Sequence, residues 1–493
     1  MTSAVARTRR PRRVWGATLA VGGITLVALA LRLAAFDESF FGDELFTYVI
    51  STRPDLHAVL AGVRSDLEIT PPLFFAVAWL FQKLGDPFIW LRMPSLIAGV
   101  ASVPLVYVLG LLTVGRKAAI AGAAMFALSP LAIFYATEAR AYALMTLLVV
   151  LSTIALLKAI ETNDRRWWAA LAVLDAGAMY SHYTSVFVLA AQAGWALWTQ
   201  RALLRPLLWA HAGAALLYAP WLPFLIEDKD APAQKVIGVL EPFGAATAVR
   251  NLGRLADGGP YAPLTDLPGT PAFVLLGAAA TIGLAGLVLR GRRAGWRAVP
   301  QSVVLIVLLA VAAPLGAGLY SALSDDMFVV RNLISSLPAI ALAFAVLLTA
   351  LPRALAVGAL ALAFGALGLG AASTFERDTK RPDYEEVAAF LEQRARPGDV
   401  ILDLNVFMEP PGLSLRVQLD PDLPFYRMGF PYEEEQEAVD AAVAGGGRIL
   451  FVHPEIGTFR GIVPPRVARR FRAAETRNWP GVHPLTVVVY EPR

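Results

Sequence analysis

Long apolar runs recur along the chain, separated by short polar loops whose charges alternate in sign. Runs long enough to cross about 30 Å of hydrocarbon, roughly 20 residues each, fall at 14–35, 89–112, 117–136, 140–158, 167–181, 184–200, 207–226, 271–290, 299–320, 332–350 and 354–372. The pattern predicts a polytopic α-helical membrane protein with about eleven transmembrane helices. Basic residues gather in one set of loops: Arg7 to Arg13, Arg116-Lys117, Lys158 with Arg165-Arg166, Arg201 with Arg205, Arg290 to Arg297, and Arg353. The other set is acidic: Asp37, Glu38, Asp43, Glu44, Asp55, Asp66 and Glu68, then Glu227, Asp228 and Asp230, then Asp325 and Asp326. The positive-inside rule makes the basic loops and the amino terminus cytoplasmic, and everything after residue 372 extracytoplasmic. The basic start, apolar run and Ala34-Ala35 fit a cleaved signal peptide loosely, but the run is longer than a usual h-region and reads as a retained anchor.

Two further segments break the pattern. The first outer loop, 36–88, carries apolar positions Leu45, Phe46, Val49, Ile50, Val59 and Leu60 interrupted by Pro54, which predict short helices lying on the bilayer surface. Thr70-Pro71-Pro72 then opens an apolar segment, Leu73 to Leu84, too short to span. Residues 1–372 thus form a transmembrane domain, and 373–493 a soluble α/β domain. In the latter, helix signals at Pro382 to Arg394 and Glu433 to Val443 alternate with strand-like runs at Val400-Ile401-Leu402, Arg448 to Val452 and Leu485 to Tyr490. Gly445-Gly446-Gly447 follows a helix instead of opening one, and reads as a helix stop, not a phosphate loop.

Composition agrees: of 493 residues, 57% are hydrophobic and 17% charged, with a mean hydropathy of +0.56. There is no cysteine, which removes disulfides, thiolate metal sites and cysteine nucleophiles. The net charge of +4 is dispersed over loop ends, so a lipid bilayer is the expected partner and nucleic acid is not.

The candidate chemistry lies at the outer ends of the spans. Asp43-Glu44 follows the first span, and a carboxylate there either acts as a base or caps a helix beginning at Glu44. Arg92, beside Trp90, either binds a phosphate or snorkels to the headgroups. Glu138 and Tyr142 share a helix face, with Arg140 pointing elsewhere. Glu138 is a candidate for a sugar hydroxyl, or with Asp43 for a divalent cation such as Mg or Mn; Arg140 is one for a phosphate. The bland reading of Glu138 and Arg140 is pairing with neighbouring helices. Ser181-His182-Tyr183 sits at an outer turn where both rings either touch substrate or are structural. Asp325-Asp326 and Arg331-Asn332 flank the tenth span.

In order, Asp43-Glu44, Pro71-Pro72-Leu73, Arg92-Met93-Pro94-Ser95 and Glu138-Ala139-Arg140-Ala141-Tyr142 resemble the polyprenyl-phosphate-sugar-dependent GT-C glycosyltransferases, the group containing protein O-mannosyltransferases and lipid A aminoarabinose transferases. The layout is shared over about residues 10–350; the motifs are confined to the first 145. Many relatives have His before the Pro-Pro pair where this chain has Thr70, so no histidine role transfers there. The resemblance implies a membrane glycosyltransferase moving a sugar from a polyprenyl-phosphate donor to an extracytoplasmic glycan, lipid or protein acceptor. It implies Asp43 as base, Glu44 positioning the acceptor or a water, and Arg92 and Arg331 on the donor phosphate. The plasma membrane is the expected location. The rival expectation is a multi-pass lipid or glycan transporter or flippase, for which Asp175 is the clearest ionisable group within a span. A structural assembly subunit is a third.

Overall fold

The computed structural model describes residues 11–65, 68–228, 238, 241–294, 299–404, 413–429, 432–455 and 459–493. The topology markers Arg7, Arg9, Arg10, Asp66, Asp230 and Arg297 lie outside the described residues. The chain divides into two compact units, one of Met1–Ala35 with Pro54–Ser373, the other of Phe36–Arg53 with Thr374–Arg493.

The first unit is helical. Among the described residues, eight helices are long and apolar enough to cross a membrane: Gly16–Ala34, Pro87–Thr113, Tyr142–Thr162, Arg201–Asp228, Thr265–Leu289, Gln301–Leu323, Val330–Thr349 and Arg353–Ser373. A ninth arises if Arg116–Leu128 and Pro130–Ala136, bent by 62°, count as one span. This falls short of the eleven expected. The two missing are Arg165–Ser181, with 17 residues, and Ser185–Thr199, with 15; at about 1.5 Å per residue they reach only about 26 and 22 Å. The bend has a local cause. Pro130 lacks an N–H and its ring excludes the preceding turn, so the helix stops at Leu128, and Ser129, with ψ 123°, starts a new one.

Burial ranks the helices. Val330–Thr349 and Tyr142–Thr162 have 67% and 61% of their apolar windows buried, against 17% for Thr265–Leu289, so the first two run through the middle of the bundle. Their amino-terminal ends carry candidate residues, Arg331 and Tyr142. With no hydrophobic drive between helices in lipid, close packing rests on small side chains. At Gly110 a Cβ would lie 2.7 Å from the Ala119 Cα, so the helices Met93–Thr113 and Arg116–Leu128 meet backbone to backbone.

The second unit is built on a six-stranded sheet. Its strands are β1 (Val400–Leu404), β2 (Phe425–Gly429), β3 (Tyr432–Glu433), β4 (Ile449–Pro454), β5 (Phe471–Trp479) and β6 (Leu485–Pro492), in the order β3-β2-β1-β4-β6-β5. β1 pairs in parallel with β2 and β4; the remaining pairs are antiparallel. The central strands are apolar on both faces, as strands covered on both sides must be. Val400, Leu402, Phe451 and Tyr490 pack with Ala438, Val439 and Ala442 of the helix Glu435–Gly445. That helix ends where Gly446 takes a left-handed φ of 61°, the stop expected of the triple glycine. Asp383 caps the helix Tyr384–Arg394, accepting from the Glu386 N–H at 2.9 Å.

Candidate active site

In the second unit, Asp43 and Glu44 open the helix Asp43–Ser51. The cap position is Gly42, at φ 62°, and no side chain caps the helix; Asp43 is its first residue and not its cap. The half-buried Asp43 therefore stands in the first turn, where unpaired N–H groups favour negative charge. Glu44 is fully buried. The Arg381 guanidinium serves both neighbouring acids, with Nε 3.8 Å from Glu44 Oε2 and Nη1 3.4 Å from Glu38 Oε2. Ser39 adds to the joint by donating to Asp383 and accepting the Glu385 N–H at 3.1 Å. Phe41 packs on the His483 ring, centroids 5.6 Å apart. Burial holds His483 down to about 4, so this imidazole stays neutral.

In the first unit, the two motifs flanking the broken span converge. Arg140 Nη1 donates to Glu68 Oε2 at 2.6 Å and Nη2 to Glu68 Oε1 at 3.2 Å, while Nη2 also reaches Thr70 Oγ1 at 3.0 Å. Glu68 Oε1 accepts the N–H groups of Ile69 and Thr70, which shapes the turn before Pro71-Pro72. The strand of chain around Arg140 is pinned from two further helices, by Ser95 Oγ on the Arg140 carbonyl at 3.0 Å and Ser181 Oγ on the Ala141 carbonyl at 3.3 Å. Arg92 is buried at the start of Met93–Thr113, and Glu138 is buried two residues before Arg140.

Tyr135 is the hub of the aromatic part. It lies in electrostatic reach of Glu138, Tyr142, Tyr261 and Arg331. Its ring packs on Tyr142 at 4.6 Å, and Tyr142 on His182 at 5.1 Å. Arg331 sits on the short helix Val330–Leu333, whose first N–H donates to Asn251 Oδ1 at 3.0 Å while Asn251 Nδ2 holds the Phe328 carbonyl. His182 and Tyr183 diverge. His182 joins the Tyr142 stack, whereas the Tyr183 hydroxyl donates to Asp228 and accepts from Trp221 Nε1 at 3.0 Å. Arg64 lies over the neighbouring Phe224 ring at 4.3 Å.

The sequence pointed to Glu138, Arg140, Tyr142, His182 and Arg331, and the first unit brings these to one region. Glu68, Tyr135, Asn251 and Arg381 were not singled out. Glu68 showed itself only as one more outer-loop acid, and a tyrosine near an interface is ordinary. Among the described residues no group of three or more His, Asp or Glu side chains is placed to hold a metal ion.

Asp175, inside Arg165–Ser181, is buried in a polar cluster. Ser152 Oγ donates to it, Gln192 bridges Ser152 and Thr153, and His211 Nδ1 stands 3.2 Å from its second oxygen.

With the geometry in view, comparison with known proteins gives a consistent picture. The family model described as dolichyl-phosphate-mannose-protein mannosyltransferase matches residues 70–226, the stretch holding the Thr70, Arg92, Glu138 and Arg140 positions. No curated protein sequence matches the chain. Among solved structures, ArnT from Cupriavidus metallidurans in the apo state is similar, with a TM-score of 0.55 at 13% identity, over 96% of this chain and 98% of that one. The same protein bound to undecaprenyl phosphate gives 0.53 at 12% identity, over 96% and 98%. The oligosaccharyltransferase of Archaeoglobus fulgidus in complex with Zn and sulfate gives 0.53 at 13% identity, over 88% and 67%. These likenesses, at 12–13% identity, show that the chain shares the fold of these proteins.

Proposed function

We propose that this protein is a GT-C-type membrane glycosyltransferase that moves a sugar from a polyprenyl-phosphate donor to an extracytoplasmic acceptor. The observation that carries the reading is the Glu68–Arg140–Thr70 latch, which ties the Pro71-Pro72 motif to the Glu138-Arg140-Tyr142 motif inside the family-matched stretch. The charge alternation supports a plasma-membrane protein with a cytoplasmic amino terminus, eleven crossings including the two short helices, a transmembrane domain of 1–372 and an extracytoplasmic domain of 373–493.

In this reading the Asp43 carboxylate takes the proton of the acceptor hydroxyl or amine as that atom bonds to the anomeric carbon. The bond from that carbon to the phosphate oxygen breaks, its electron pair leaves with the lipid phosphate, and the configuration inverts. Arg92 and Arg331 stabilise the departing phosphate through guanidinium donors that stay charged. Arg140, committed to Glu68 and Thr70, positions the turn around Glu138. Glu138, Tyr142 and His182 face the sugar. Glu44, held by Arg381, sets the helix that presents Asp43.

Titration of the purified protein in nanodiscs with undecaprenyl phosphate tests the donor site. Binding is expected to weaken at least tenfold in Arg92→Ala and Arg331→Ala. Equal affinity in both variants and wild type would remove these arginines from the site. A transporter reading rests on the Asp175 cluster; it would gain if Asp175→Asn abolished lipid movement in a protein with no transfer activity.

A further inference from the structure

We propose that the helix Ala245–Asp257 lies along the outer leaflet without crossing it, with its exposed face among the acyl chains of the bilayer lipids and its opposite face holding the turn that carries Arg331. This placement rests on the outward orientation argued above and not on glycosyl transfer. The helix is inside out. A surface helix of a soluble protein turns its apolar stripe to the core and its polar residues to water. Here the exposed positions are Ala245, Ala246, Val249, Leu252 and Ala256, with Val249 71% and Leu252 44% exposed. Ala245, Val249, Leu252 and Ala256 follow one another at the spacing of a single helical stripe. Thr247, Asn251 and Arg254 form the opposite stripe, and all three are buried.

The polar stripe is committed to the protein. Arg254 Nη1 donates to Glu241 Oε1 at 2.9 Å, and Asn251 Nδ2 to Glu241 Oε2 at 3.0 Å and to the Phe328 carbonyl at 3.1 Å. Asn251 Oδ1 accepts the Val330 N–H at 3.0 Å, one residue before Arg331. Rotating the helix to offer these groups to water would break that set and leave buried polar groups unsatisfied. Arg250, on the flank between the stripes, stays 3.9 Å from Glu241 Oε1. Its carbon stem can follow the apolar surface while the charged end remains at headgroup level.

The neighbours set the depth and name the occupant. A Cβ on Gly253 would lie 2.7 Å from Leu264 Cδ1 and 3.7 Å from Phe273 Cζ, and Phe273 is part of the apolar helix Thr265–Leu289. At the other end, a Cβ on Gly370 of Arg353–Ser373 would lie 2.7 Å from Asp257 Oδ1. The helix therefore runs beside two helices that are long and apolar enough to cross the membrane. Val274, next to Phe273, is 64% exposed, so the apolar outer surface continues from that span onto Val249 and Leu252, and lipid chains that cover one cover the other. With 13 residues the helix reaches only about 20 Å, too short to cross and suited to lying in the plane of the leaflet.

The chain has no cysteine, so one introduced cysteine can carry a spin label at a chosen position. The test uses the full chain in nanodiscs that hold a single copy, and compares collisions of the label with oxygen, which concentrates in hydrocarbon, and with a nickel chelate, which stays in water. Val249→Cys and Leu252→Cys are read against Val274→Cys as the lipid reference and Glu437→Cys, exposed on the sheet unit, as the water reference. All four positions are exposed, and thermal melts report whether each labelled variant is folded. At both helix positions the oxygen-to-nickel ratio is expected within twofold of that at Val274 and at least fivefold above that at Glu437. A ratio like that at Glu437 would show a face turned to water, and few collisions with either reagent would show a face covered by protein; each result would overturn the proposal. A Val274 label that read like the Glu437 label would overturn the membrane reading and this placement with it, whereas loss of sugar transfer alone would leave the pattern unchanged.

Discussion

Arg140 grips Glu68 with both prongs of its guanidinium, at 2.6 and 3.2 Å, in a pair whose side chains are 7% and 4% exposed. A buried ion pair contributes little net stability, but removing one partner strands the other charge at a cost of about 3–5 kcal/mol. Glu68→Ala is therefore expected to lower the melting temperature in detergent sharply. A Glu68→Met and Arg140→Met double variant is expected to recover most of the loss. If both single variants melted like wild type while losing donor binding, Arg140 would belong to the phosphate site and not to the latch.

Arg381 makes a comparable joint within the second unit, between Glu38 and the fully buried Glu44. Arg381→Met leaves Glu44 buried beside a neutral chain. The expected outcome is release of the 36–53 segment, read as new protease cleavage there, with the sheet still folded by circular dichroism. An unchanged digestion pattern would show that the apolar contacts of this helix suffice.

The sheet unit has a defined acid weakness at Asp399. Burial alone would raise its pKa, but hydrogen bonds from the Arg448 side chain and from the backbone of Arg448 and Arg396 outweigh this and leave it lowered. A folded value below the unfolded one, about 3.9, gives stability that is present above pH about 4 and is lost as pH falls through the folded value. Asp399→Asn is expected to melt well below wild type at pH 7, with the gap closing as pH drops below about 4. A gap constant with pH would exclude an ionic origin.

Asp257 shows the opposite sign. It ends the helix Ala245–Asp257, outside the long apolar helices, and neither oxygen has a hydrogen-bond partner among the described residues. Burial raises its pKa to about 8. The native state then keeps a proton that the unfolded chain releases above about pH 3.9, so stability falls from there to about pH 8 and is level beyond. Asp257→Asn is expected to match wild type near pH 4 and to exceed it at pH 8.5. Parallel melting curves across that range would contradict the buried, partnerless carboxylate.

Eight or nine long helices of the membrane half were legible because lipid imposes a length on an apolar run. Where the reading fell short, at Arg165–Ser181 and Ser185–Thr199, the helices have 17 and 15 residues, as short as the apolar runs at 167–181 and 184–200 that predicted them. In the sheet, β1, β4 and β6 were visible as apolar runs. β5 was not, because Arg472, Glu475 and Arg477 punctuate an edge strand whose residues between Phe471 and Trp479 are almost all exposed. The carboxylates and arginines could be named from sequence, but not their partners. Arg140 finds Glu68 at a separation of 72 residues, and Arg381 finds Glu38 at 343. Local pattern carries no information at that range.

The most direct measurement is single-turnover release of polyprenyl phosphate from a panel of polyprenyl-phosphate sugars, with purified wild type beside Asp43→Asn. Release from at least one donor, together with sugar appearing on an acceptor or as slow hydrolysis, is expected of wild type. Asp43→Asn is expected to bind the same donor while releasing its lipid phosphate at least a hundredfold more slowly, the scale of one general base. Full release by folded Asp43→Asn would contradict the assigned base, and no release by wild type from any donor would contradict the transferase itself.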